Sequence, residues 1–313
     1  MKKVLGILII LYSINAIGQD RYDRFFRVEL SNDFLYVTNP TDRYFSNGTR
    51  FVYWDNSLSN FGLSKILIPK RYNENSTFGF ELEQNLYTPS NLTSTDPKDF
   101  DRPYSSYLLL KYRGVHVDDS NRWKFQSSIA IGVLGELGGG GLVQNFIHSL
   151  TPTSHEVIGW STLHSSLPVV SVNIEFEKGL YARKNLQWLG VAKTELGNLY
   201  SNVELGAKLY VGGFSPYFSS PLFLPEKGAW QVVGFAELFG KMQWYNATLN
   251  GPYFYNDMPG NISAEQQFLY YYSFGVEATY DRLFLLLKLT NSLNEVKGLD
   301  NHVWGTLSLG FRF

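Results

Sequence analysis

The 313-residue chain contains no cysteine, which excludes a disulfide-stabilised secreted fold, thiol catalysis and cysteine metal sites. Only 18% of the residues are charged and the formal net charge is −1, so nothing indicates a nucleic-acid partner. No stretch approaches the roughly 18 apolar residues that a membrane-spanning helix requires. A helical membrane protein and a disulfide scaffold are therefore both excluded.

The N-terminus has the pattern of a secretory leader. Lys2 and Lys3 precede the apolar run 4–12, and small residues follow it. This order predicts a signal peptide at residues 1–18, cleaved after Gly18. The mature chain is therefore expected to leave the cytoplasm.

Aromatic residues, in contrast, are abundant at 16% of the chain, which suits the two aromatic girdles of an outer-membrane barrel. The last twelve residues, 302–313, alternate between apolar and polar side chains and end on Phe313. A strand points successive side chains to opposite faces, so this segment has one apolar and one polar face. A soluble β-sandwich could end in the same way, and the last strand alone leaves both folds open.

About twelve segments show this alternation over membrane-spanning lengths. They lie at 24–37, 47–57, 76–86, 104–115, 122–134, 168–179, 186–196, 201–211, 229–244, 268–280, 282–291 and 302–313. The longest connections are 58–75, 87–103, 135–167 and 245–267. We expect these long loops on the extracellular rim, and short turns with both chain ends on the periplasmic rim. The prediction is an all-β transmembrane antiparallel β-barrel of about twelve strands, a single domain at 19–313, with short helical segments in the long loops.

A glycine-rich segment interrupts the strand pattern. Four consecutive glycines at 138–141 precede a possible helical turn that carries Gln144 and His148 on one face. A histidine on a short helix behind a glycine hinge can act as a general base or a metal ligand. From the spacing alone, an ordinary surface histidine is the simpler interpretation.

A second polar group surrounds the first predicted turn. Asn32 and Asp33 offer a carbonyl oxygen and a carboxylate, and Ser46 offers a hydroxyl across the turn. Oxygen donors of this kind suit a hard cation such as Ca²⁺. The same residue types also form ordinary turns, which is the simpler interpretation of the group taken alone.

Five motifs follow one another in a specific order over residues 25–165. They are Asn32-Asp33, 42–48, 84–89, 101–107 and 135–160. This series resembles the LpxR family of outer-membrane lipid A 3′-O-deacylases. The resemblance implies a twelve-stranded barrel that hydrolyses the ester of the 3′-linked acyloxyacyl group of lipid A, with calcium dependence, near the outer-leaflet surface.

Matched position by position, the resemblance implies site residues. His148 takes the place of the catalytic histidine, and Asn32, Asp33 and Ser46 match site positions around the cation. Glu156, the next carboxylate after His148, is assigned to a functional glutamate, as a catalytic residue or a metal ligand. The implied mechanism has His148 activate water while Ca²⁺ stabilises the oxyanion.

One expected lysine after the 87–89 turn has no match in place, and Lys98 lies nearby in a loop of different length. If the headgroup preference differs, the barrel would be a phospholipase or esterase of broader specificity. A non-catalytic channel or structural barrel is the third alternative. Arg43 and Arg102 would contact lipid phosphates or, more simply, join a lumenal ion-pair network. The expected partners are lipid A or lipopolysaccharide and outer-membrane lipids, and a monomer is expected.

Overall fold

The computed structural model describes residues 23–35, 43–68, 75–149, 157–163, 166–251 and 265–313. The strands in these ranges are β1 (Arg24–Asn32), β2 (Tyr44–Asp55), β3 (Ser76–Thr88), β4 (Ser105–Asp118), β5 (Trp123–Leu134), β6 (Leu167–Arg183), β7 (Leu186–Gly197), β8 (Tyr200–Gly213), β9 (Trp230–Asn246), β10 (Phe268–Tyr280), β11 (Leu283–Ser292) and β12 (His302–Arg312). Each strand pairs antiparallel with its neighbours in the chain, and β1 pairs with β12 to close the barrel. The predicted twelve-stranded all-β barrel is confirmed. The predicted leader at 1–18 lies outside the described residues.

Among the described residues, the helices lie in the connections between strands. They are α1 (Ser64–Leu67), α2 (Gly140–Ser149) and α3 (Ala247–Asn250), with 3-10 turns at Asp33–Leu35, Asn56–Asn60, Pro97–Asp99, Glu136–Gly138 and Gly159–Thr162. Over the described part of the chain, no helix is long and apolar enough to cross a membrane.

Strand alternation gives the wall one apolar and one polar face. On β6, Val170 and Val172 are exposed on the outer face, whereas Ser171 and Glu177 turn inward and are buried. The same alternation runs along β12, where Leu309 faces outward. The outward side chains are those that would meet lipid hydrocarbon.

Ion pairs cross the lumen. Arg50 bridges Glu29 at 2.5 Å and Glu83 at 3.0 Å. Farther round the wall, Lys208 lies 2.6 Å from Glu177. Because these pairs occupy the interior of the barrel, they oppose a wide open pore, as expected for a twelve-stranded wall.

The start of β1 and the end of β12 lie at one rim, which we name the terminal rim; the opposite rim is the loop rim. The loop rim carries the connections 33–43, 89–104, 135–166, 247–267 and 293–301. The terminal rim carries short turns, but also the long connections 56–75 and 214–229. The prediction that all long connections share one rim is therefore wrong. The reason is that both terminal-rim segments bury apolar side chains, one against the outer wall and one in the lumen.

The connection 214–229 folds into the terminal end of the lumen. Tyr217 and Phe223 are buried there against Tyr210. The Tyr217 hydroxyl donates a 2.6 Å hydrogen bond to Glu177. Burial, together with this carboxylate, raises the pKa of Tyr217 well above the ordinary phenol range. The phenol therefore stays protonated and fixes the connection to the lumenal ion pairs.

Candidate active site

A polar patch interrupts the outward face of β1–β4 near the loop rim. Its members are Asn32, Ser46, Asn47, Gln84, Thr88 and Ser106. The side chains of these residues point outward because side chains alternate along a strand: Asn32 comes two residues after the exposed Leu30 on β1. Gln84 likewise comes two residues after the exposed Leu82 on β3. We name these six residues the outward polar patch, since the same face is apolar farther down the wall.

Ser46 reaches the outward face through a β-bulge. The register between β2 and β3 shifts between Phe45 and Asn47, which makes Ser46 the extra residue. Its hydroxyl lies 2.5 Å from the Thr88 hydroxyl, and both side chains are buried. On the lumenal side, His302 Nε2 lies 3.1 Å from the Phe45 carbonyl oxygen. The bulge is therefore held from both faces of the wall.

Asp33 directly follows β1 and begins the 3-10 turn Asp33–Leu35. The side chain is only 3% exposed, and its Oδ2 accepts a 3.0 Å hydrogen bond from the backbone amide of Arg43. Asn32 is the register partner of Asn47, the residue after Ser46. Three of the four predicted cation ligands thus lie at the same rim, on β1, on β2 and in the turn that follows β1.

The glycine run allows α2 to dock closely on the outer wall. Gly139 has a φ of 73°, a left-handed conformation that favours glycine, and α2 begins at the next residue. A Cβ on Gly138 would lie 2.6 Å from the Ser106 backbone oxygen. A Cβ on Gly140 would lie 2.4 Å from the Trp160 ring. Only glycine permits this approach, so the predicted glycine-hinged helix is present and its packing partners are now identified.

Hydrogen bonds attach α2 to the patch. The Gln84 side-chain amide donates to the Gly138 carbonyl at 2.6 Å, and the Gly140 amide donates to the Ser106 hydroxyl at 3.2 Å. These two contacts fix the first turn of the helix to β3 and β4. Two residues of the outward polar patch, Gln84 and Ser106, therefore bind the start of the helix.

The two faces of α2 differ. Gln144 is buried and accepts a 2.6 Å hydrogen bond from the Trp160 indole N–H. His148 lies one turn farther along the same face and is half-buried. On the other side, Leu142 and Phe146 are 83% and 65% exposed. The helix presents its polar face to the barrel and an apolar face to its surroundings.

The remaining predicted residues are placed as follows. Glu156 lies outside the described residues. Arg102 is buried, donates to the Thr248 hydroxyl at 3.2 Å and lies 3.7 Å from Glu295, so it joins a lumenal network. Lys98 is exposed in the 3-10 turn Pro97–Asp99.

The donor chemistry of the predicted cation site suits Ca²⁺. Asn32, Asp33 and Ser46 supply an amide oxygen, a carboxylate and a hydroxyl, while Ca²⁺ takes about six to eight oxygen ligands. Across the described ranges, no group of three or more histidine, aspartate or glutamate side chains forms a metal cluster. The described residues fit part of a calcium shell, with one carboxylate and two neutral oxygens.

Sequence reasoning did not assign a role to Thr88, Ser106, Trp160 or His302. The first three belong to or border the recognised motifs, but their contacts to Ser46 and the glycines join distant parts of the chain. His302 contacts Phe45 across the junction of the first and last strands. The glycine run at 138–141 was the one available signal. It predicts that this backbone packs closely against another part of the protein, but it does not identify that part.

Comparisons with known proteins agree with this architecture. The profile of the family described as outer membrane protein LpxR matches residues 4–313. LpxR from Salmonella typhimurium is similar in structure, with a TM-score of 0.74 and 18% identity over 92% of this chain and 100% of that chain.

More distant barrels also match. The β domain of the Bordetella autotransporter Brka has a TM-score of 0.45 and 10% identity, covering 93% of this chain and 97% of its own. The translocator domain of NalP from Neisseria meningitidis has a TM-score of 0.42 and 9% identity, covering 100% and 95%. No curated protein matches the chain. The family profile spans nearly the whole sequence, and the chain therefore belongs to the LpxR family of bacterial outer-membrane β-barrel proteins.

Proposed function

We propose that the chain is a calcium-dependent lipid A deacylase that hydrolyses the ester-linked 3′ acyl group in the outer leaflet. The observation that carries the proposal is the outward polar patch with α2 docked over it. Catalytic groups in a lumen would be separated from lipid by the wall, whereas groups on the outer face meet lipid directly. Membership of the LpxR family supports lipid A as the substrate.

The exposed face of α2 supports a lipid substrate. Leu142 and Phe146 lie four residues apart and so form one apolar stripe directed away from the polar patch. The loop rim is the extracellular rim in barrels of this kind, because their longer loops lie outside. The stripe would then rest in the outer leaflet, beside the acyl chains of the substrate.

In the proposed mechanism His148 is the general base. It takes a proton from a water molecule as the water oxygen attacks the ester carbonyl. The acyl C–O bond then breaks, the protonated His148 returns the proton to the departing 3′ oxygen of lipid A, and the acyl group is released as a free fatty acid. From Gly140 to His148 the helix spans about 12 Å, at about 1.5 Å per residue. From β4 back to β1 the wall spans about 14 Å, at about 4.8 Å per strand. The helix is thus long enough to carry His148 from its anchor on β4 towards Asn32.

Asn32, Asp33, Ser46 and Glu156 would hold the cation. Bound Ca²⁺ supplies electrostatic stabilisation of the negative charge that develops on the carbonyl oxygen. The protein residues keep the donor oxygens in place: the Arg43 amide orients the Asp33 carboxylate, and the bulge directs the Ser46 hydroxyl outward. Glu156 ligates the cation or orients His148.

A second candidate is a phospholipase or esterase of broader specificity. It is favoured by Lys98, which stands near the position of the expected family lysine but lies exposed in the turn Pro97–Asp99. Because a lysine on the site would recognise a headgroup phosphate as a point charge, its displacement would change headgroup preference.

The experiment is mass spectrometry of lipid A and phospholipids from cells that express the wild type, His148→Ala or His116→Ala, with and without a calcium chelator. His116 lies near the terminal rim, hydrogen-bonded to Ser76 at 3.0 Å, and is the matched histidine control. We expect loss of the 3′ acyl group with the wild type and His116→Ala, abolished by chelation and by His148→Ala. Fatty acid released from phospholipid with unchanged lipid A would favour the second candidate. No product from the wild type would refute both.

A further inference from the structure

The second segment on the outer wall lies at the opposite end of the barrel from α2. Residues 56–68, here named the wall segment, contain the 3-10 turn Asn56–Asn60 and helix α1. Tyr112 OH donates to the Leu58 carbonyl at 2.9 Å, and the Ser127 hydroxyl donates to the Leu67 carbonyl at 2.8 Å. Tyr112 alternates with the lumenal Lys111, so it lies on the outward face, and the wall segment packs on that face.

The wall segment covers outward aromatic residues. Phe78 is fully buried and Tyr112 is 4% exposed beneath it. The Phe61 ring lies edge-on to Tyr112 at 5.1 Å, and Leu67 belongs to the same apolar cluster. Elsewhere at this rim, outward aromatic residues such as Trp230 are exposed.

These uncovered residues form an aromatic girdle on the terminal rim. Trp230 and Tyr280 stack at 4.2 Å on β9 and β10, and Trp188 is exposed on β7. Such girdles mark the membrane interface in outer-membrane barrels. Along β3 and β4, where the wall segment packs, the outward aromatics Phe78 and Tyr112 are buried and cannot contact lipid.

The wall segment exposes apolar side chains of its own in their place. Ile66 is 71% exposed and Phe61 is 47% exposed, with Leu63 between them also exposed. Lys65 is exposed beside Ile66 and can extend its ammonium group towards lipid phosphates. An apolar surface with an adjacent cation is the composition of an interfacial anchor rather than of a water-facing loop.

We propose that the wall segment is a membrane-interface anchor that binds the phospholipid leaflet adjoining the terminal rim, in place of the buried aromatics of β3 and β4. Its occupant is a lipid surface, because the segment is continuous with the lipid-facing wall. It lies on the same sector of the wall as α2, at the opposite rim. This proposal rests on the fold alone and is independent of the hydrolytic activity.

The test exploits the absence of cysteine from the chain. An Ile66→Cys variant is labelled with an environment-sensitive NBD probe and reconstituted in vesicles of phosphatidylethanolamine and phosphatidylglycerol that contain no other protein. Leu287→Cys, on the lipid-facing side of β11, is the hydrocarbon reference, and Lys184→Cys, in the exposed turn between β6 and β7, is the aqueous reference.

The expected result is blue-shifted emission at position 66, quenching by lipids spin-labelled near the headgroup, and protection from aqueous iodide. Emission and iodide quenching equal to those of the Lys184→Cys label would overturn the proposal. Because all three side chains are exposed, the variants should fold, and heat-modifiable electrophoresis checks that they do. A Phe61→Ser, Ile66→Ser double variant, with a reporter at Leu63→Cys, should lose at least half of the lipid quenching. Unchanged quenching there would also contradict the anchor.

Discussion

Replacing Gly138 with alanine tests whether the docking of α2 positions the catalytic histidine. The added Cβ would lie 2.6 Å from the Ser106 backbone oxygen. Non-bonded heavy atoms prefer about 3.5 Å or more, so the start of the helix must move outward by about 0.9 Å. The backbone of β4 cannot yield as a flexible side chain would, because it is hydrogen-bonded to β3 and β5.

A misplacement of about 1 Å in a catalytic group can lower the rate by about 10²-fold. We therefore expect Gly138→Ala to reduce the rate of acyl release by about two orders of magnitude with little change in barrel stability. Gly240→Ala is the matched control, since a Cβ there meets nothing within 4 Å. The assay is acyl release by purified protein from lipid A vesicles, with heat-modifiable electrophoresis as the check on folding. Full activity of Gly138→Ala would refute the argument that close docking positions His148.

Three further predictions concern a bulge contact, a helix contact and a lumenal ion pair. Ser46→Ala should raise the calcium concentration needed for half-maximal activity by about tenfold or more. Ser46→Thr keeps the hydroxyl bonded to Thr88 and should not raise it. Equal calcium titrations for Ser46→Ala and the wild type would show that Ser46 does not belong to the cation site. Trp160→Phe removes the indole N–H that donates to the buried Gln144 oxygen, at a cost of about 1–3 kcal/mol, and should lower kcat more than it raises KM. A pure KM effect would contradict a positioning role. Glu177→Ala removes the buried carboxylate that pairs with Lys124 and Lys208 and should lower the free energy of unfolding in urea by about 3–5 kcal/mol. A change below 1 kcal/mol would show that the lumenal pairs are dispensable.

The strands could be predicted from the sequence because the alternation along each is regular. Val170, Val172 and Glu177 fall on the faces that the two-residue period assigns them. The bulge at Ser46 could not be predicted in this way, because a bulge is a difference in residue count between two paired strands. One strand read alone does not reveal it.

The wall segment illustrates a second limit. Ile66, Leu67 and Ile68 form a short apolar run with neither a strand nor a long helix period, so the sequence indicated only a loop. The structure shows that Leu67 and Ile68 are buried against outward aromatics of the wall. Such packing on a neighbouring surface produces no regular hydrophobic period in the sequence. The connection was therefore wrongly expected at the extracellular rim, whereas it lies at the terminal rim.

The candidate site was likewise predictable from the sequence only in part. The glycine run predicted a helix that carries Gln144 and His148 on one face, and α2 has this form. The partners that hold it, Ser106 and Trp160, lie more than ten residues from the contacted glycines, and one sequence does not connect them. The roles of His148, Glu156 and the cation ligands remain predictions.

The most direct test of the proposed function is the initial rate of 3′ acyl release by the purified barrel from lipid A vesicles in calcium buffer prepared with ¹⁸O water. The wild type should release fatty acid that carries one ¹⁸O atom, because water attacks the ester carbonyl. His148→Ala should be slower by about 10²–10⁴-fold, the usual contribution of a general base. Equal rates for the two proteins, or fatty acid without ¹⁸O, would contradict the proposal that His148 activates water on the outer face of the barrel.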